Sequence, residues 1–166
     1  MAIRGREIII RHLENAIAAE RSFEDLLSTF SKTGTQVEVK NMFAQLSQKA
    51  RSQHERLEER LRELGGTPST AKSAMAHAFG FAPAVAQLGH EPEEKNAQHV
   101  IMTYAAAAGE TAMYEALATV AEEAGDVETE RLARELQGEE QEDHEMAWAI
   151  LPDSALDAFR AVTGMG

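Results

Sequence analysis

With 166 residues, 43% of them apolar and 27% charged, the chain has the composition of a globular protein and the length for one well-buried domain, read here as residues 1–166. A formal net charge of -12 argues against direct contact with nucleic acid or anionic lipid, whose phosphates are bound chiefly by Lys and Arg. The absence of cysteine excludes disulfides, thiolate metal sites and Cys nucleophiles, and no stretch approaches the roughly 18 apolar residues of a membrane span, so the expectation is a soluble, cytosolic, untargeted protein.

Aromatics are only 5% of the chain and alanine is abundant, which favours a helical core of small residues. The first predicted helix lies near 5–31, where Leu13, Ile17, Phe23 and Leu27 recur at helical spacing. "KTGTQ" at 32–36 supplies a turn, and a second helix follows near 36–64, drawn by Val39, Phe43, Leu46, Leu57 and Leu61. Gly65 and Gly66 are natural stops. "TPSTAKSAMAHAFGFAPAVAQLGH", residues 67–90, is too long for a tight hairpin and reads as a crossover with a short helical pattern of its own.

Pro92 suits the first turn of a third helix near 93–124. "EAGDV" at 123–127 turns the chain into a fourth, near 127–150, carrying Leu132, Leu136, Met146 and Ile150. Pro152 is expected to end it, and Ser154 with Asp157 forms a plausible capping box for a short fifth helix, 154–162.

The two halves resemble each other. Shifted by 90 residues, positions 18–57 match 108–147 at nine of forty places, among them Glu20 with Glu110, Leu27 with Leu117, Leu46 with Leu136 and His54 with His144. Two repeated helical hairpins joined by a long connection give an all-α four-helix bundle of the ferritin-like type, whose metal sites lie in the core.

The apolar stripes carry acids at their centres. At about 100° per residue, Glu20 falls near the middle of the first stripe. Glu110 does so on the third helix, where Met113, Leu117, Val120 and Ala121 draw the face. Asp143 does so on the fourth, with Glu139 and Glu140 to either side. The second helix has Ala50 at its centre, with Gln53 and His54 straddling it. An unpaired buried carboxylate costs several kcal/mol or takes up a proton, so such a layer needs a positive partner, and a hard cation is one. The Glu-x-x-His pair expected of a di-metal bundle is absent from the chain.

In "AIAAERSFEDLL", "QHERLEERLRELGGTP", "SAMAHAFG", "AGETAMYEAL" and "LQGEEQEDHEMA" the chain resembles the YciE and YciF group of stress-associated, ferritin-like bacterial proteins, over roughly residues 8–150. The resemblance implies a metal site of Glu20, Gln53, Glu110, Glu139 and Asp143. Iron or manganese is the expected ion, and His54 and His144 at the stripe edges, Arg56, and Tyr114 one turn after Glu110 are candidate partners of those carboxylates. The chain departs from the family at Lys49 and Ala107, where relatives often carry Glu, and both changes remove negative charge from the site. A homodimer is the expected assembly. The alternative function is a metal-free helical scaffold or dimerisation protein, in which Arg56 neutralises a core carboxylate and the two histidines are ordinary polar surface.

Overall fold

The computed structural model describes residues 3–33, 35–68, 91 and 94–164, and among them the only regular elements are four α-helices: α1 (Ile3–Thr33), α2 (Val37–Glu63), α3 (Lys95–Ala124) and α4 (Val127–Thr163). The expected crossover from residue 69 onward, including "SAMAHAFG", and Pro92 lie outside the described residues.

The second hairpin closes through local chemistry. Gly125 adopts φ 70°, a left-handed conformation open to glycine at no steric cost, and Asp126 N donates to Ala121 O at 2.9 Å to finish α3. The Asp126 side chain then accepts from Thr129 N at 3.1 Å and from Thr129 Oγ1 at 2.8 Å, capping α4. Arg60 reaches over from α2 to Asp126 at 2.6 Å and to Thr129 Oγ1 at 2.8 Å, so one guanidinium ties the second turn to the first hairpin. At the same end, Arg6 Nε on α1 donates to Leu64 O at 2.8 Å, just beyond α2.

Neighbouring helices run antiparallel: α1 against α2, α3 against α4, α1 against α3 and α2 against α4. The fourth pair approaches least closely, and long side chains fill its seam. The apolar interior is split. Ile9, Leu13, Leu57, Leu61, Leu117 and Leu136 cluster towards one end, and Phe23, Leu27, Phe30, Phe43, Leu46 and Val100 towards the other. Glu20, Gln53, Glu110, Glu140 and Asp143 are all buried at the level between them.

No separate fifth helix forms. α4 runs through Pro152 to Thr163, correcting the expected break. Proline removes one backbone donor, whose acceptor would be the carbonyl of Trp148; both residues lie on the exposed side, where water can satisfy that oxygen. On the inner side Ser154 and Ala158 are buried, and Gln36 Nε2 donates to Asp157 Oδ2 at 2.8 Å, taking the group expected to cap. Continuing the helix keeps these contacts.

His99 lies in the second apolar cluster, its ring stacked on Phe30 with centroids 3.8 Å apart and planes 9° from parallel. Burial, helped by the charge of Lys95, holds its pKa down at about 4. Its contribution to stability is present above the usual 6.5 and is lost as pH falls towards 4, because the unfolded chain takes the proton first. In wild-type protein this loss amounts to about 2 kcal/mol. His99→Phe removes it, which urea midpoints of both proteins at neutral pH and near pH 4.5 will measure.

Candidate metal centre

The polar layer follows from helical spacing. On α4, Leu136, Glu140, Asp143 and Ala147 succeed one another at steps of four, three and four, which places both acids on the inward face. Glu20 on α1 and Glu110 on α3 sit between apolar residues of their own stripes. One carboxylate oxygen from each of Glu20, Glu110 and Glu140 lies within 4.8 Å of the others, and all three residues are at most 1% exposed. Like charges so close repel by about 3 kcal/mol per pair even at an effective dielectric near 20. The cluster must hold protons or a cation.

Its surroundings fix the carboxylates without neutralising them. Tyr114, fully buried, donates its hydroxyl to Glu20 Oε1. Gln53 Nε2 donates to Glu140 Oε1 at 2.6 Å. Among the described residues no donor side chain or backbone amide reaches the second oxygens, Oε2 of Glu20, Glu110 and Glu140, which are buried, and Glu110 and Glu140 hydrogen-bond to each other when one of them carries a proton. Burial and the charge of Glu140 raise the pKa of Glu20 well above the usual carboxylate range; burial and Glu20 do the same for Glu110. Glu140 is raised to about 7 by burial and Asp143, against the Gln53 hydrogen bond and Lys49. Burial also lifts the Tyr114 hydroxyl, with Glu20 adding to the effect, so Tyr114 remains a donor.

The side between α2 and α4 is closed by two ion pairs. Lys49 Nζ lies 2.6 Å from Asp143 Oδ1 and donates to Glu139 O at 2.9 Å. Arg56 Nη1 donates to Glu139 Oε1 at 2.6 Å, and its Nη2 lies 3.2 Å from Glu135. Burial raises the Asp143 carboxyl while Lys49 pulls it back down.

Of the residues expected at the site, Glu20, Gln53, Glu110 and Asp143 share this buried layer, and Tyr114 touches it. Glu139 is held outward by Arg56, and the buried place beside Glu110 belongs to Glu140. Arg56 therefore pairs with surface-side acids and not with Glu20 or Glu110. His54 faces the seam between α1 and α2, with Nε2 2.9 Å from Glu24 and Nδ1 3.5 Å from Glu58. His144 lies edge-on to Tyr104, ring centroids 5.6 Å apart, with Nδ1 buried and unpartnered.

Glu140 and Lys49 were undervalued in the sequence for different reasons. At about 100° per residue Glu139 is about 40° from Asp143 and Glu140 about 60°, so the stripe drawn with Met146 and Ile150 leaves both flanking acids open, and the choice of Glu139 follows from the family resemblance. Met146 is 42% exposed and belongs to the surface. The stripe that is buried, through Ala133, Leu136 and Ala147, centres between Glu140 and Asp143 and would have found both.

The chain is similar to several solved structures. A protein from Xanthomonas campestris pv. campestris superposes with TM-score 0.81 and 20% identity, over 96% of this chain and 99% of that one. The stress protein YciF of E. coli gives 0.80 and 18%, over 92% and 98%. A Dps protein from Bacillus brevis gives 0.74 and 17%, over 91% and 99%. At these identities the likeness is one of fold, that of a ferritin-like four-helix bundle. No curated protein sequence matches the chain. A family model described as a domain of unknown function, DUF892, matches residues 4–156.

Proposed function

The chain belongs to the DUF892 family, and from that premise we propose that it is a ferritin-like metal-binding protein holding iron or manganese on Glu20, Glu110 and Glu140. The observation that carries this reading is the set of three buried carboxylate oxygens that no donor group among the described residues reaches, on residues whose ligand atoms converge within 4.8 Å. Hard cations prefer oxygen ligands, and one would offset the mutual repulsion that otherwise requires protons. When bound, either metal would supply redox and Lewis-acid chemistry.

The protein's own groups set the conditions around it. Tyr114 orients Glu20 and Gln53 orients Glu140, each leaving the other oxygen of the carboxylate free. The Arg56–Glu139 and Lys49–Asp143 pairs shield the layer from water on the α2–α4 side. A role under stress belongs to the same reading, supported at the level of fold by the likeness to the E. coli stress protein and the Dps protein. So does a homodimer, supported by the exposed apolar residues Leu156, Phe159 and Val162 on the last turns of α4. Among the described residues no helix is long and apolar enough to cross a membrane.

Elemental analysis of protein purified from iron- and manganese-rich medium tests the reading. Metal is expected to co-purify, and a chelator should lower the melting temperature, since binding to the folded state at 100 times Kd stabilises by about 2.7 kcal/mol. Metal-free protein with chelator-indifferent melting would overturn the reading in favour of a scaffold that uses the bundle without its ion.

A further inference from the structure

The repeat makes the cluster's charge lopsided. A shift of 90 residues maps Glu20 on Glu110, but it maps Gln53 on Asp143, Ala50 on Glu140 and Lys49 on Glu139. The second hairpin thus delivers Glu110, Glu140 and Asp143 to the buried layer, whereas the first delivers Glu20 alone. Where a symmetric site would draw further acids from α2, that helix presents an amide, a methyl group and an ammonium.

The ammonium is placed as a cation ligand set would place an ion. Lys49 Nζ lies 2.6 Å from Asp143 Oδ1 and 2.9 Å from the Glu139 carbonyl oxygen, on the seam where α2 and α4 stand furthest apart. Asp143's side chain is 3% exposed while that of Lys49 is 27% exposed, so the aliphatic stem enters from the rim and carries its charge inward. Among the described residues the opposite half of the layer has no such group. There no donor group among them reaches the second oxygens of Glu20, Glu110 and Glu140.

We infer that Lys49 is a built-in counter-cation that fills the second half of the carboxylate layer, withholds Asp143, and limits the site to one metal ion. This rests on the proposed metal-binding reading and adds its stoichiometry. A second divalent ion would meet a fixed positive charge already seated on the carboxylate it needs, and displacing that charge would leave the ammonium without its buried partner. The selection is therefore for a solitary ion and against a bridged pair.

Titration of the chelator-stripped, full-length protein with Mn(II), followed by calorimetry and electron paramagnetic resonance, tests this. Wild type is expected to saturate at one ion per chain and to show the hyperfine pattern of an isolated Mn(II). Lys49→Glu, which replaces the ammonium with a ligand, is expected to saturate at two and to show the spectrum of a coupled pair. Should circular dichroism show that this variant does not fold, Lys49→Gln, which frees Asp143 without adding a carboxylate, is expected to admit a second ion more weakly than the first. Two ions in wild type, or one ion in folded variants of both kinds, would overturn the inference while leaving the metal site standing. No Mn(II) in wild type would instead remove the metal-binding reading, and the stoichiometry with it.

Discussion

Glu20→Gln combined with Glu110→Gln is expected to abolish divalent-cation uptake and, in the absence of metal, to raise the melting temperature near pH 8. The two effects have one cause. Both carboxyls are buried beside Glu140, with oxygens within 4.8 Å, so each negative charge placed there is opposed by lost hydration and by its neighbours. Glutamine keeps the shape and an acceptor for the Tyr114 hydroxyl, and its amide can donate to the orphaned Glu140 Oε2. Removing one like-charge contact at this spacing relieves about 3 kcal/mol at an effective dielectric near 20 once wild-type carboxyls must ionise, equivalent to roughly 6 to 12 °C for a domain of this size. Calorimetric titration with Mn(II) reads the first effect, and differential scanning calorimetry with chelator reads the second. Retained uptake by the double variant would show that the ion sits elsewhere. A lower melting temperature would show that the carboxylates have a balancing charge that the geometry does not supply.

The sequence exposed what depends on one helix at a time. Glu20, Glu110 and Asp143 stand out because an acid in the middle of an apolar stripe violates amphipathic patterning, and the repeat sets Glu20 and Glu110 at matching positions. Choosing between Glu139 and Glu140 required knowing that Met146 is exposed, a fact set by where the bundle ends and not by hydropathy. The passage of α4 through Pro152 was hidden for a similar reason: local propensity disfavours it, and tertiary contacts, the burial of Ser154 and Ala158 and the hydrogen bond from Gln36 at the start of α2 to Asp157, favour it. Cross-helix pairing was least legible. Lys49 lies 94 positions from Asp143 and Arg56 lies 83 from Glu139, and nothing in either segment says which acid each cation will meet. That is why a departure visible as lost charge at position 49 did not reveal a buried ion pair.

The metal-free protein is expected to lose stability as pH rises from about 5 to about 8, opposite to the behaviour of proteins held by surface carboxylate pairs. The folded state keeps Glu140 protonated up to about 7, whereas the unfolded chain releases that proton near the ordinary 4.5. Stability from burying the neutral carboxyl is therefore fully present below 4.5 and is lost as pH climbs through 7, on the order of 3 kcal/mol for this group. Glu20 and Glu110 are raised in the same direction and extend the loss to higher pH. His99 works against them between 6.5 and 4, where it adds stability as pH rises. Wild type should thus show a shallow slope on the acid side and a steeper fall above 6.5, while His99→Phe should fall throughout. Saturating Mn(II) should reverse the trend, since protons then compete with the ion for the same oxygens and stability drops as pH falls below 7. Urea midpoints across this range, with chelator and with Mn(II), separate the cases. A metal-free midpoint that is flat or rises from pH 6.5 to 8 would mean that the buried acids are already neutralised by a group other than their own protons.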